Sequence, residues 1–359
     1  MSFELPKFTP PDFTQDFLAS APHAKTAEVT KDGVAPKNFH LTSVFPEYYN
    51  VEGKWVLPIQ TSLDCAAVVR NANTVEVVEL RSLKVGDKVV LGKSSDASEG
   101  IYKHIKGFDN ISKVRQGRSV ESSFSKDYKK LYELLKYEKE NNGHIVWVLG
   151  PAVVFDHDTR IALSELAENG YVNALMAGNA MATHDLEGGL LGTALGQNIY
   201  TQESVPLGHY NHLDLINEAR RAGSLEALLS EGNVKNGFIK TCMERNIPIV
   251  LAGSIRDDGP LPPVYHNVTG GLDAMKEQTD KATVIICLAT VLHSVSTSDL
   301  ASSYRVVDGK VRPVYVYSID ISEYAVNQVA AAREYVGVNT IVTNVQDFVV
   351  NVKKNLLEK

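Results

Sequence analysis

The densest chemistry in the chain lies between Ile249 and Pro262. An apolar run, Ile249 to Ala252, ends in Gly253 and Ser254; Arg256, Asp257 and Asp258 follow, and Gly259-Pro-Leu-Pro262 stiffens the exit. A guanidinium grips a carboxylate through two parallel N–H donors, and an aspartate takes or relays a proton. That combination suits amino-acid chemistry. The same charges also suit a structural Arg–Asp pair bracing a loop.

Other apolar runs finish in small or polar residues as well. The run from His144 meets Gly150 and Pro151, and the run from Val172 meets Gly178 and Asn179, with His184 and Asp185 just beyond. The run from Thr283 leads to His293 and Ser294, the one from Val314 to Asp320, and the one from Asn339 to Asn344. Continuous apolar runs of this length alternate with helical patterns, which predicts a parallel, doubly wound sheet of about six strands covered on both faces. All their ends then converge on one crevice. Small residues at such turns, here Gly150, Gly178, Asn179 and Gly253, let backbone N–H groups approach a pyrophosphate, although a tight turn explains each one equally. Asp320 is placed to accept from ribose hydroxyls or to cap the helix that follows Ser322. Asn344 and Ser254 complete the rim, and no GxGxxG fingerprint is present.

His184 with Asp185, and His293, are candidate acid/base or amide-binding groups; hydrogen-bonded structural histidines are the alternative. Gly208, His209, His212 and Asp214 stand close together, yet no third ligand at the spacing of a known metal site is visible. No metal is therefore expected, and Gly208 and His209 are read as cofactor contacts at the start of the next helix. There is neither a GxSxG elbow nor a cysteine beside a histidine.

The elements that must position these groups follow from periodicity. Residues 1–25 form a Pro/Phe/Ala-rich arm expected to be extended or to wrap another surface. Short strand-like runs predict a small all-β domain over 26–115, and 116–359 reads as a Rossmann-like α/β domain. Helices are predicted for Ser125–Asn141, Thr159–Asn169 with Gly170 as a left-handed stop, Leu213–Arg221 and Val234–Asn246. The net charge of −7 argues against nucleic acid as the main partner. Cys65, Cys242 and Cys287 form no CxxC pair, and the latter two are expected in the core. With no signal-peptide pattern and no long apolar window, the protein is expected to be cytoplasmic and free of membrane contact.

Several longer strings carry a resemblance. Gly170-Tyr-Val-Asn-Ala-Leu-Met-Ala-Gly-Asn-Ala180, Thr183-His-Asp-Leu-Glu187, Gly192-Thr-Ala-Leu-Gly196, Gly208-His-Tyr-Asn-His212, Ile216-Asn-Glu-Ala-Arg-Arg-Ala-Gly-Ser224, the loop ending at Pro262 and Ala289-Thr-Val-Leu-His-Ser294 stand in this chain. Together they resemble the archaeal-type ornithine cyclodeaminases. The same module ends the bifunctional arginine dihydrolase/ornithine cyclodeaminases, and the family is linked to the conserved domain of lysine-oxoglutarate reductase/saccharopine dehydrogenase. The likeness runs over roughly residues 30–350.

The resemblance implies a deoxyhypusine-synthase-like NAD-binding domain behind a small β domain. It implies conversion of L-ornithine to L-proline and ammonia, with bound NAD taking a hydride from Cα and returning it after the ring closes. Arg256 then suits the carboxylate clamp, Asp257 or Asp258 the base or the δ-ammonium partner, and His293 a further acid/base group. The chain departs from the family after the fifth strand. Ser318-Ile-Asp-Ile-Ser-Glu323, Asn327-Gln-Val329 and Arg333-Glu-Tyr-Val-Gly337 stand where relatives carry a Val-Asp-Ile-Asn-Pro, a Thr-Lys-Leu and an Asp-Arg-Gly. Two other readings therefore stand beside it: an NAD-dependent oxidoreductase or lyase acting on another amino acid or opine-like amine, and a non-catalytic nucleotide-binding subunit. A homo-oligomer is expected.

Overall fold

A computed structural model describes residues 3–108, 124–255, 259–332 and 337–358. The six predicted apolar runs are strands β1 (Ile145–Leu149), β2 (Ala174–Gly178), β3 (Ile249–Ala252), β4 (Val284–Leu288), β5 (Tyr315–Asp320) and β6 (Val338–Val342). They form one sheet in the order β3-β2-β1-β4-β5-β6, with every neighbouring pair parallel. This is the strand order of the doubly wound dinucleotide-binding folds.

The helices are α1 (Ser125–Glu140), α2 (His157–Glu168), α3 (Asn179–Leu191), α4 (Asn211–Ala222), α5 (Leu225–Ser230), α6 (Phe238–Glu244), α7 (Val268–Thr279), α8 (Val291–Leu300), α9 (Glu323–Ala332) and α10 (Val345–Leu357). Strand β1 shows why the apolar runs do not alternate with polar residues. Ile145, Trp147 and Leu149 enter a core with Leu131 and Leu135 of α1 and Leu163 of α2, whereas Val146 and Val148 enter a second core with Ala274 and Met275 of α7 and Val329 of α9. Both faces of the strand are dry, so both must be apolar. Trp147 also donates from Nε1 to the Tyr171 carbonyl at 2.8 Å, which satisfies the one polar atom of a fully buried indole.

Helix α6 is shorter than the apolar pattern suggests. It begins at Phe238 because Gly237 adopts φ +141°, outside helical geometry. All three cysteines are buried and free. No described helix is long and apolar enough to cross a membrane.

The residues before 109 build two antiparallel sheets. One has four strands in the order Thr26–Glu28, Lys88–Val90, Ala66–Asn71, Thr74–Val78; the other has three, with Glu47–Val51 between Lys54–Val56 and Ile101–Lys103. A hairpin, Tyr304–Val307 with Lys310–Pro313, leaves the α/β part and docks on them. Its Tyr304 hydroxyl donates to the Pro58 carbonyl at 3.0 Å, and the Val306 N–H donates to the Ile59 carbonyl at 2.8 Å. On the hairpin's other side Arg312 pairs with the buried Glu138 of α1. The amino-terminal arm carries a single helical turn at Asp16–Ala19 and lies on its own chain. Phe3 packs on Tyr137 and Tyr315, Phe8 on Phe108, and Phe13 stacks on Trp55.

His144, just before β1, is half-buried, and burial, with Lys281 adding to it, pushes its pKa down to about 4 from 6.5. The unfolded chain therefore binds the extra proton first as pH falls, so stability declines from about pH 6.5 towards pH 4. Denaturant unfolding across that window should show this loss, and a His144→Gln variant should flatten its slope.

Candidate active site

The strand register sets the geometry of the rim. Ala252 pairs with Gly178, Ala177 with Leu149, Leu149 with Leu288, Leu288 with Ile319, and Asp320 with Val342. The carboxyl ends are thus flush. From β3 to β5 the rim spans four inter-strand gaps, about 19 Å.

At its middle the exits of β1 and β4 touch. The Gly150 N–H donates to the Leu288 carbonyl at 2.8 Å, and a Cβ on Gly150 would lie 1.9 Å from the Ala289 carbonyl oxygen. Only glycine permits that approach. Ala289 turns there with φ +51°, a left-handed conformation that costs an alanine about 1 kcal/mol. Chain connections leave β1 and β4 for opposite faces of the sheet, which opens a crevice between them.

Two helices start at this crevice. Gly178 caps α3, and Thr290 caps α8. Their first N–H groups carry partial positive charge and suit phosphate oxygens. His293, in the first turn of α8, reaches across β1 until its Cε1 lies 3.5 Å from where a Gly178 side chain would begin. Burial lowers its pKa, so it is a neutral imidazole at neutral pH. Asn179, at the start of α3, accepts from the Leu261 N–H at 2.9 Å and so pins the far end of the loop that carries Arg256, Asp257 and Asp258. Gly253 donates to the Tyr265 carbonyl at 3.0 Å, which fixes its near end. The flush, glycine-lined rim and its paired helix starts fit a dinucleotide.

This architecture is matched by known proteins. A family model described as arginine dihydrolase ArgZ-like, C-terminal, Rossmann fold, matches residues 129–352. The chain belongs to this family. It is 36% identical over 304 residues to an ornithine cyclodeaminase of Methanocaldococcus jannaschii, an alignment that takes in 81% of this chain and 70% of that protein. A crystal structure of a Methanococcus maripaludis protein described as LOR/SDH superposes with a TM-score of 0.82 at 30% identity, covering 93% of this chain and 98% of the other. The ternary complex of AgrE with ornithine and NAD+ superposes with a TM-score of 0.59 at 27% identity, covering 96% of this chain and 47% of AgrE. The chain thus spans about half the length of that bifunctional protein.

Of the residues singled out in the sequence, the structure gathers Gly150, Pro151, Gly178, Asn179, Gly253, Ser254, His293 and Asp320 along one rim. Arg256, Asp257 and Asp258 lie outside the described residues. Asp320 uses Oδ1 to accept from the Ser322 N–H at 2.8 Å, ahead of the helix, and the hydroxyl of Ser322 accepts from the Ala325 N–H at 3.4 Å.

Three of the residues singled out are engaged by the fold itself. Asp185 is fully buried, ion-paired with Arg160 at 2.9 Å and accepting from the Ile239 N–H at 2.7 Å, so both its oxygens are engaged within the fold. Gly208 is a packing glycine, since a Cβ there would lie 2.3 Å from the Gly196 carbonyl oxygen. Asn344 caps α10 through the N–H groups of Gln346 and Asp347. His209 is exposed beside Tyr210.

Sequence reasoning missed Glu187. Its buried carboxylate faces His184 Nδ1 at 3.1 Å and His212 Nδ1 at 4.0 Å, a group whose spacing could also hold a metal ion. The His184-x-x-Glu187 spacing on one helix was the signal; the partner of His212 came from that helix rather than from His209 or Asp214.

Removing one side of the Arg160–Asp185 pair strands a fully buried cation. Asp185→Ala should cost about 3–5 kcal/mol of stability, measured by denaturant unfolding, while the folded fraction keeps its dinucleotide affinity.

Proposed function

We propose that the protein converts L-ornithine to L-proline and ammonia, with NAD as a recycled cofactor. The observation that carries this is the glycine-lined rim at the β1/β4 switch point, found in a chain 36% identical over 304 residues to an ornithine cyclodeaminase. When bound, NAD supplies an acceptor and later a donor of hydride at the substrate Cα.

The chain's own residues do the rest. Gly150 and Gly178 leave backbone rather than side chain on the crevice floor, and the starts of α3 and α8 face the phosphates. Arg256 holds the substrate carboxylate by its guanidinium fork. Asp257 or Asp258 takes the amine proton, and His293, kept neutral by burial, is available to accept or pass it on. Asn179 bonds to Leu261 and Gly253 to Tyr265, on either side of the segment that carries these charges.

We treat residues 26–115 as a separate small β domain that braces the α/β domain through the Tyr304–Pro313 hairpin. The same reading sets the enzyme in the cytoplasm as a homo-oligomer, for which the exposed Leu195, Tyr200, Leu207 and Tyr210 offer an apolar surface. The altered text from Ser318 to Gly337 favours a second reading, an NAD-dependent oxidoreductase or lyase on another amino acid or opine-like amine.

Mass spectrometry of the denatured protein should reveal a co-purified dinucleotide, and ornithine should yield proline and ammonia with no net NADH. Accumulation of NADH with a different amine would select the second reading. Asp257→Asn or Asp258→Asn should lower kcat by about 10²–10⁴ with NAD retained; full rate in both would remove the aspartates as base.

A further inference from the structure

Two leucines stand in backbone conformations that leucine disfavours. Leu195 has φ +52° and Leu207 φ +58°, and among the described residues they are the only large apolar side chains in the left-handed region. A Cβ crowds the backbone there, so asparagine or glycine would hold either position with less strain. Burial within the protomer does not offset that strain, because Leu195 is 61% and Leu207 69% exposed. Strain of this kind persists where a side chain has a task. Here the task lies outside the protomer.

The two positions are neighbours in space. Gly196 and Gly208 follow them in the chain, and the backbones of these glycines touch: a Cβ on Gly208 would lie 2.3 Å from the Gly196 carbonyl oxygen, and one on Gly196 would lie 2.6 Å from the Gly208 carbonyl carbon. Leu195 tips a short hairpin, Thr193–Ala194 against Gln197–Asn198, whose base is flanked by the exposed Leu191 and Tyr200. The Tyr210 N–H donates to the Leu207 carbonyl at 3.0 Å, which keeps the exposed Tyr210 beside Leu207, and the exposed Leu213 follows one helical turn on. The framework under these side chains is tied to the body of the molecule. The buried Glu187 carboxylate accepts from the Thr193 hydroxyl at 2.7 Å and the Gly196 N–H at 3.2 Å, Asn211 donates to the Thr193 hydroxyl at 2.8 Å, and Gln202 donates to the Phe155 carbonyl at 3.2 Å.

Six exposed apolar side chains thus share one excursion between α3 and α4. At about 200 Å² for a whole side chain, their uncovered parts amount to about 650 Å² on one copy, more than the largest apolar patch of most monomers. Two copies meeting through the same face would bury about 1,300 Å², within the range of specific pairs. From Leu191 to Leu213, Glu203 is the single Asp, Glu, Lys or Arg in a chain that is 22% charged, and such depletion marks the core of an interface between like copies. A nearly neutral apolar face also complements itself, as two-fold pairing requires. We infer that the excursion from Leu191 to Leu213 is the interface between two copies of this chain, with Leu195 and Leu207 at its centre. This rests on the homo-oligomer reading above and assigns that contact to one preformed face.

Analytical ultracentrifugation of the full chain tests the face. Wild type should sediment as a dimer or a larger even-numbered assembly. The double variant Leu195→Asn with Leu207→Asn should fall to half that size or less, its association weakened about a hundredfold or more. Asparagine tolerates the left-handed backbone, so circular dichroism of the variant should match wild type. Tyr210→Glu, where the backbone is helical, should dissociate the assembly in the same way and serves as the second variant if the double variant does not fold. A monomeric wild type overturns the proposal together with the homo-oligomer reading. An odd-numbered wild-type assembly, or one that stays intact in both variants, overturns the proposal alone.

Discussion

The contact between the Gly150 and Ala289 backbones governs the rest of the molecule. Two parallel strands end flush, and their onward chains must part to opposite faces of the sheet. They part only if one exit carries no side chain and the other turns left-handed, which is what Gly150 and Ala289 with φ +51° provide. The crevice, the two helix starts beside it and the reach of His293 over Gly178 all follow from that separation. Strain of about 1 kcal/mol at Ala289 is small beside the burial energy of a sheet whose central strands are fully covered.

Polar groups around this sheet fall into two kinds, and burial alone does not distinguish them. Asp185 and Glu187 are two residues apart on α3 and equally buried. Asp185 meets a guanidinium and a backbone N–H, so its charge is neutralised within the fold. Glu187 has one oxygen tied to Thr193 and Gly196 and the other turned to imidazoles. The first carboxylate is matched by a permanent cation, and the second by hydroxyl, amide and imidazole groups.

Much of this was legible in the sequence. The six strands appeared as apolar runs because both faces of a parallel sheet are dry, and their common edge followed from parallel direction alone. The rim glycines were visible for the same reason. The roles of Asp185, Gly208 and Asn344 were not, since each depends on a partner distant in sequence or on cap geometry: Arg160, Gly196 and the first turn of α10. Glu187 escaped because its meaning depends on His212, which reaches it from the next long helix.

The Tyr304–Pro313 hairpin joins parts of the chain far apart in sequence. It donates hydrogen bonds to the Pro58 and Ile59 carbonyls of the strand-rich amino-terminal region, and it forms an ion pair with Glu138 of α1. Peeling either region away would expose backbone groups and a buried carboxylate at once. The two halves therefore share one melting event, and amide exchange in the hairpin reports on the integrity of the whole chain rather than on a surface loop.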